Sequence, residues 1–294
     1  MTSAGRFAPS PSGELHVGNL RTAILAWLFA RSSSREFLLR VEDLDRARAG
    51  AEAEQLRDLE AIGVTWDRGV VRQTARGALY AKAIERLQHA GLTYECFCTR
   101  REIQEAPSAP HALQGAYPGT CRNLDAAELE FRRASRPAAV RLRSEVHEYT
   151  VHDVLHGEFT GLVDDFVLRR NDGVTAYNLA VVVDDAAQGI DQVVRGDDLL
   201  PSTPRQAYLA SLLKIPAPEY AHVPLVVNAD GVRLAKRDGA VTLGDLDQRG
   251  ITAAAVRDRL LASLGLPAGT LQRALDAFDP AGLPREPWIW TGMG

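Results

Sequence analysis

The segment from Arg6 to Asn19 combines residue types that could bind a charged ligand. A short predicted strand leads through two prolines and a glycine into a helix predicted over 20–31. His16 and Gly18 lie where this helix begins. Backbone N–H groups and the helix dipole favour anions there, and a glycine lets a large ligand come close to the backbone. The segment therefore predicts a phosphate site, although His-x-Gly also occurs in ordinary strand-to-helix connections, where the histidine is a surface residue.

Carboxylates follow the next predicted strand, over 37–41, which is nearly all apolar, as in a parallel sheet covered on both faces. The run Glu42-Asp43-Leu44-Asp45 would then lie in the ligand crevice of an open α/β sheet. Glu42 could hold an ammonium group there. The alternative is a solvated acidic loop, which is the usual outcome for a run of charges.

Three cysteines, Cys96, Cys98 and Cys121, flank a long irregular segment rich in proline, glycine, alanine and serine. An odd number of cysteines argues against a disulfide framework, and a loop of this length needs a staple or a function. A structural zinc ion prefers four ligands, of which the cysteines supply three and His111 is the generic fourth. Spacing alone leaves a zinc site and three plain buried thiols equally open.

Two further side chains lie in the second half of the chain. Tyr177 begins an apolar stretch and is either a pocket residue or a core tyrosine bonded through its hydroxyl. Arg195 follows a strand predicted over 190–194. Its guanidinium group could pair with a ligand carboxylate, or be held by Asp197 or Asp198.

The composition is that of a globular protein of 294 residues with a formal net charge of −4. This length predicts two or three subdomains, and the charge requires any nucleic-acid surface to be a local patch. No apolar run approaches the length of a membrane span, the first residues do not resemble a signal peptide, and the close cysteines suggest a reducing compartment. We therefore expect a cytoplasmic protein without a membrane partner.

In this order, the motifs resemble those of class I aminoacyl-tRNA synthetases. The family signature His-Ile-Gly-His corresponds to His16-Val17-Gly18-Asn19, and the preceding residues from Arg6 resemble the glutamate- and glutamine-specific branch. The other matching strings are Arg40-Val41-Glu42-Asp43-Leu44-Asp45, Arg195-Gly196-Asp197-Asp198, and Arg233-Leu234-Ala235-Lys236-Arg237 at the place of Lys-Met-Ser-Lys-Ser. Because Asn19, Ala235 and Arg237 depart from the family pattern, we expect weaker phosphate contacts at these positions.

The resemblance implies an α/β protein with a class I synthetase Rossmann-like nucleotide-binding fold, an inserted α+β zinc-bearing subdomain and a short helical C-terminal part. We expect the first half of the catalytic domain over 1–90 and the insertion over 91–165. The second half, with the lysine loop, would span 166–242, and the helical segment 243–294.

The resemblance also implies roles for individual residues. The residues that would bind glutamate are Arg6, Phe7, Ala8, Pro9, Ser10, Glu42, Tyr177 and Arg195. ATP with Mg²⁺ would be bound by His16, Gly18, Asn19 and Lys236, of which His16 and Lys236 would be catalytic. One structural zinc ion would be bound by Cys96, Cys98, Tyr117 and Cys121, since the glutamyl-queuosine tRNA(Asp) synthetases share this Cys-x-Cys and Tyr-x3-Cys pattern; we prefer Tyr117 to His111.

This pattern, together with the lack of a large anticodon-binding domain, resembles the glutamyl-queuosine tRNA(Asp) synthetases within the family. Such enzymes activate L-glutamate with ATP and place it on the queuosine base in the anticodon of tRNA(Asp). We expect the same ligase activity from a monomer. The alternatives are a truncated glutamyl-tRNA synthetase that charges a tRNA 3′ end, an inactive synthetase-like regulator that binds nucleotide or RNA, and a small-molecule nucleotidylyltransferase.

Overall fold

A computed structural model describes residues 3–105, 117–234 and 241–292. Within these residues the chain forms one seven-stranded, one three-stranded and one two-stranded sheet. The strands are β1 (Ala4–Phe7), β2 (Glu36–Val41), β3 (Val71–Arg72), β4 (Thr93–Cys96), β5 (Ala139–Leu142), β6 (Glu148–Asp153), β7 (Gly157–Leu162), β8 (Val167–Arg169), β9 (Ile190–Gly196), β10 (Glu219–Val223), β11 (Val226–Val227) and β12 (Trp288–Ile289). The α-helices are α1 (Val17–Ser32), α2 (Ala51–Ala61), α3 (Gly77–His89), α4 (Arg100–Glu105), α5 (Ala126–Ser135), α6 (Tyr177–Gln188), α7 (Thr203–Leu212), α8 (Leu243–Asp247), α9 (Ala253–Ala262) and α10 (Leu271–Asp276).

The seven-stranded sheet has the order β3-β2-β1-β9-β10-β6-β7. Its strands pair in parallel except in the β6–β7 hairpin. The chain passes from β1 to β2 on one side, whereas β9 lies on the other side of β1, so the strand order reverses between β1 and β9. Ligands of open α/β sheets bind outside the C-terminal ends of the strands at such a switch point. The segment after Phe7 continues from the end of β1, Glu42 directly follows β2, and Arg195 lies near the end of β9.

Helix α1 is the centre of the main hydrophobic core. Its residues from Ala23 to Ala30 are all buried, and the helix contacts β1, β9, α9 and α10. A helix that is apolar on all sides is stable only when it is covered all round. The start of α1 is therefore fixed by packing on the sheet and on the C-terminal helices.

The sequence predicts one strand over 222–227 and a β-hairpin around Asn171-Asp172-Gly173, and the structure differs from both predictions. The strand expected over 222–227 is divided into β10 and β11, because Pro224 lies between them and has no N–H to donate to a neighbouring strand. Strand β11 pairs with β12, so the C-terminal segment supplies a strand as well as helices. The hairpin expected around Asn171-Asp172-Gly173 is limited to one bridge between Arg169 and Thr175, after which α6 begins.

The smaller sheet has the order β4-β5-β8, and the β6–β7 hairpin instead extends the main sheet through β10. The predicted fold class, an α/β protein with a parallel sheet and a smaller α+β part, is confirmed. The domain boundaries at 91, 166 and 243 stay predictions. Among the helices of the described residues, none is both long and apolar enough to cross a bilayer.

Candidate active site

A cavity of about 650 Å³ lies at the switch point between β1 and β9. Its wall is formed by the C-terminal ends of β1, β2 and β9 and by the start of α1. It brings together the predicted glutamate and ATP residues that the structure describes, which are Arg6, Phe7, Ala8, Pro9, Ser10, His16, Gly18, Asn19, Glu42, Tyr177 and Arg195. Lys236 lies outside the described residues.

His16 caps the N-terminus of α1. Its Nδ1 accepts hydrogen bonds from the backbone N–H groups of Gly18 at 3.1 Å and Asn19 at 3.3 Å. In return, Oδ1 of Asn19 accepts from the backbone N–H of His16 at 3.2 Å. Because Nδ1 accepts, the proton of the neutral ring is assigned to Nε2. Asn19, which departs from the family signature, thus completes a reciprocal cap.

Gly18 has no room for a side chain. A Cβ atom at this position would lie 2.9 Å from Cε1 of His16 and 3.4 Å from Cβ of Val226. Any larger residue would therefore push the His16 ring out of its capping position. The requirement for glycine arises from close packing against the imidazole.

Lys236 belongs to the segment 235–240, which lies outside the described residues. The residues on either side of this segment form hydrogen bonds near the start of α1. The backbone N–H of Leu234 donates to the carbonyl of Val226 at 3.2 Å, and the N–H of Val17 donates to the carbonyl of Val241 at 3.1 Å. Both described ends of this segment are therefore held next to the start of α1. Leu234 also lines the cavity.

Glu42 is a buried carboxylate, 9% exposed, at the end of β2. Nη2 of Arg40 donates to its Oε1 at 3.2 Å, while Nη1 of Arg40 donates to Oδ1 of Asp185 at 2.7 Å. Burial raises the pKa of Glu42, although the Arg40 charge opposes this shift. The alternative of a solvated acidic loop is therefore wrong for Glu42.

Asp184 and Asp185 connect α6 to the charged groups of β1 and β2. Asp184 is fully buried and accepts hydrogen bonds from Nε2 of Gln73 at 2.9 Å and from the hydroxyl of Tyr80 at 2.8 Å. Asp185 lies 3.4 Å from Nε of Arg6. Sequence reasoning assigned no role to these residues. The available signal was a pair of acids inside an apolar helical stretch, where an unpaired charge would be costly.

Arg195 is 5% exposed and its charge is held by groups other than those expected. Its Nε donates to Nε2 of His222 at 3.0 Å. Asp198 forms an ion pair with Arg233, and no ion pair joins Arg195 to Asp197 or Asp198 within the described residues. The alternative in which these acids hold Arg195 is therefore wrong.

Tyr177 is the first residue of α6 and is 42% exposed to the cavity. Within the part of the chain that the structure describes, its hydroxyl has no hydrogen-bond partner. The alternative of a core tyrosine bonded through its hydroxyl is therefore wrong.

The three cysteines form a cluster beside the small sheet. Their Sγ atoms lie within 4.8 Å of one another, and those of Cys98 and Cys121 are 3.5 Å apart. The hydroxyl oxygen of Tyr117 is 3.4 Å from Sγ of Cys96 and 3.7 Å from Sγ of Cys98. A tetrahedral zinc ion separates two sulfur ligands by roughly 3.8 Å, and sulfur from oxygen by roughly 3.5 Å. The cluster could therefore hold a metal ion, and the Tyr117 oxygen fits a fourth vertex.

Two groups of this cluster, Cys98 and Tyr117, are disfavoured as anions, whereas for the Cys121 thiol the effect of burial is outweighed by hydrogen bonds from the Phe97 backbone and from neighbouring side chains, which lower its pKa. Burial raises the pKa of the Cys98 thiol to about 11 and also raises the pKa of Tyr117. A bound cation would compensate thiolate charge there. His111, the other expected ligand, lies outside the described residues.

The sequence model of the family "tRNA synthetases class I (E and Q), catalytic domain" matches residues 4–277. The chain belongs to this synthetase family. Its membership confirms the resemblance inferred from the motifs and the prediction of a ligase.

Individual members of the synthetase family match over nearly the whole chain. A glutamyl-Q tRNA(Asp) synthetase of Nocardia farcinica is 66% identical over 99% of this chain and 94% of its own length. A second one, from Cutibacterium acnes, is 53% identical over 90% of this chain and 77% of its own. The crystal structure of a glutamate tRNA ligase from Elizabethkingia meningosepticum with its amino acid superposes with a TM-score of 0.83 at 26% identity, covering 99% of this chain and 67% of that one. These relatives support a glutamate–tRNA ligase-like activity.

Proposed function

We propose that this chain activates L-glutamate with ATP and transfers the glutamyl group to the queuosine base in the anticodon of tRNA(Asp). The observation that supports this best is that a single cavity contains both a buried carboxylate beside guanidinium groups and a helix N-terminus. The carboxylate and the guanidinium groups suit an amino acid with a second carboxylate. The helix N-terminus suits the phosphates of a nucleotide.

The charged groups of the cavity match two of the three charges of glutamate. The Glu42 carboxylate binds the ammonium group, and the Arg195 guanidinium binds the side-chain carboxylate. Tyr177 and the backbone from Arg6 to Ser10 form the wall around the substrate. In this arrangement the α-carboxylate is directed towards the nucleotide at α1.

The first step joins glutamate to the nucleotide. An oxygen of the α-carboxylate attacks the α-phosphorus of ATP, a new O–P bond forms, and the bond to pyrophosphate breaks. The Nε2–H of His16, the positive end of the α1 dipole and Lys236 position the phosphates and stabilise the charge that develops on them. Mg²⁺ accompanies ATP and neutralises part of its charge.

The second step needs an acceptor hydroxyl next to the activated carbonyl. A second cavity of about 700 Å³ shares Ser10, Glu42 and Tyr177 with the first and is also lined by Arg141 and Arg170. A hydroxyl that enters there can attack the carbonyl carbon: a new C–O bond forms, the bond from that carbon to the AMP oxygen breaks with its electrons on AMP, and the hydroxyl proton passes to the departing phosphate. The basic side chains suit an RNA acceptor. The names of the relatives from N. farcinica and C. acnes support queuosine in tRNA(Asp) as that acceptor.

A comparison of acceptors tests this function directly. Labelled glutamate is incubated with ATP, the enzyme and one of three RNAs: tRNA(Asp) with queuosine, the same tRNA without it, and tRNA(Glu). We expect label only on queuosine-containing tRNA(Asp). Charging of tRNA(Glu) at its 3′ end would instead support the truncated glutamyl-tRNA synthetase. The absence of glutamate-dependent ATP–pyrophosphate exchange, with or without tRNA, would support the inactive regulator.

We also propose that Cys96, Cys98, Cys121 and Tyr117 bind one structural zinc ion. The distances between their ligand atoms support this set. The ion would fix the chain after β4 to the segment before α5.

Metal content and thermal stability test the zinc site. The Tyr117→Phe variant should bind zinc more weakly and melt at a lower temperature than the wild type, while His111→Ala should match the wild type. The reverse result would make His111 the fourth ligand. Purified wild-type protein without zinc, unable to take it up, would remove the site altogether.

A further inference from the structure

A series of hydrogen-bonded, buried polar side chains crosses three neighbouring strands of the main sheet and ends at Arg195. Nδ1 of His222 lies 2.6 Å from Oδ2 of Asp153, and its Nε2 accepts from Nε of Arg195 at 3.0 Å. Asp153 ends β6, His222 is in β10, and Arg195 is in β9, directly opposite His222 in the strand register. Asp153 and His222 are fully buried, so both hydrogen bonds are protected from water.

The hydrogen bonds define the state of the histidine ring. Since the Nε–H of an arginine can only donate, Nε2 of His222 must accept, and the single ring proton is on Nδ1, where it is donated to the Asp153 carboxylate. Burial lowers the pKa of His222, in agreement with a neutral ring. The neutral His222 ring therefore lies between the negative charge of Asp153 and the positive charge of Arg195.

The same guanidinium group has a second neutral partner. Its Nη2 donates to Oγ1 of Thr203 at 2.8 Å, while Arg195 also lines the cavity. Arg6 and Arg40 differ from it, because each has the carboxylate of Asp185 within ion-pair distance. No carboxylate lies within ion-pair distance of Arg195 among the described residues.

We propose that His222, oriented by Asp153, is a positioning residue that fixes the Arg195 guanidinium for the side-chain carboxylate of the substrate. A neutral imidazole fixes the guanidinium group and leaves its positive charge uncompensated, whereas a carboxylate partner would neutralise that charge. The charge of Arg195 then remains available for the ligand, and its geometry is set before the ligand binds. The inference rests on the proposed function, since it concerns the glutamate site.

Kinetics of glutamate-dependent ATP–pyrophosphate exchange test the proposal. His222→Phe removes the acceptor for Arg195 and should raise KM for glutamate by roughly 10- to 100-fold, which is the range for losing a hydrogen bond to a charged group. KM for ATP should change less than twofold. His222→Gln supplies an amide oxygen as acceptor and should recover part of the loss.

An inhibitor without the second carboxylate separates positioning from general damage. L-Norvaline has a methyl group in place of that carboxylate, so its inhibition constant against glutamate should be the same in the wild type and in His222→Phe. An equal rise for both compounds would overturn the proposal. So would an unchanged KM for glutamate.

Two more variants complete the design. Asp153→Asn retains His222 but removes the charge that orients it, and it should raise KM for glutamate by a smaller factor; this variant decides the matter if His222→Phe does not fold. Tyr208→Phe removes a buried hydrogen bond of 3.1 Å to the backbone of Glu145, away from Arg195, and should change no KM value. Wild-type protein without any exchange would refute the proposed function itself, whereas wild-type exchange with normal variants would refute only this inference.

Discussion

The two halves of the cavity are built in different ways. In the nucleotide half, His16, Gly18 and Asn19 are neighbours in the chain, and their hydrogen bonds are local to the first turn of α1. In the glutamate half, the arginine side chains Arg6, Arg40 and Arg195 are held by partners from distant segments. Arg195 and His222 are 27 residues apart, and Asp153 and His222 are 69 apart.

The difference follows from what each half has to bind. Phosphates can be bound by a side-chain donor such as His16 and by the dipole of a single helix terminus, which a short sequence can supply. A small zwitterion with a second carboxylate needs charges of both signs at fixed distances inside a protein, and each of them must be stabilised against desolvation. The network of Arg40, Asp184 and Asp185 provides this stabilisation on one side, and the pair of Asp153 and His222 provides it on the other.

The largest effect should come from Lys236, the residue of the nucleotide half outside the described segments. Lys236→Ala should slow glutamate activation by about 100-fold or more, because it removes charge that stabilises the transition state. The melting temperature should stay within about 1 °C of the wild type, since the proposed role of this lysine is to contact the ligand phosphates. Exchange rates check this, with the exposed Lys82→Ala in α3 as the matched control. A variant with nearly normal exchange would mean that the nucleotide half works without its lysine.

The next effect concerns the ammonium position in the glutamate half. Glu42→Gln should raise KM for glutamate by roughly 10-fold or more, with little change in KM for ATP, because a charged partner is lost. The wild type should also lose affinity for glutamate as the pH falls. Burial raises the pKa of Glu42 above its ordinary value of 4.5, and only the ionised form binds the ammonium group. The loss should thus begin at a pH above 4.5 and be absent in Glu42→Gln.

A pH profile of KM for glutamate in both proteins gives the measurement. If the profiles of the wild type and Glu42→Gln were parallel, the pH dependence would belong to another group. If Glu42→Gln raised KM for glutamate and KM for ATP equally, the two halves of the cavity would not be separable.

The smallest effect tests whether the nucleotide half is local. His16→Asn should keep the helix cap, since asparagine is a good N-cap residue, but lose the imidazole donor. We expect normal stability with exchange slowed roughly 10-fold. His16→Ala should show the same slowing and also lose about 1 kcal/mol of unfolding free energy. Urea unfolding and exchange rates for the two variants check this; equal stability of both would show that capping by His16 is unimportant.

Much of the candidate site could be predicted from short sequence motifs. A strand, a Pro/Gly turn and a helix start place His16 and Gly18 by local geometry, and Glu42 and Arg195 follow strands whose C-terminal ends must share one edge of a parallel sheet. The family resemblance added Tyr177 and the residues from Arg6 to Ser10 to the same list, and all of these line one cavity. Their roles in binding stay predictions.

The partners of these residues could not be predicted in the same way. Nothing in the segment around Arg195 indicates His222, and the acids nearest in sequence, Asp197 and Asp198, were the obvious but wrong candidates. The sequence assigned no role to Asp184, whereas the structure shows it fully buried and hydrogen-bonded to Gln73 and Tyr80.

The capped start of α1 was thus determined by the sequence itself, because neighbouring residues in a fixed helical geometry are enough to form it. Only the tertiary structure decided how Arg195 and His222 are held. Their partners meet through the order and register of parallel strands, in which a shift of one residue would turn each side chain to the opposite face of the sheet.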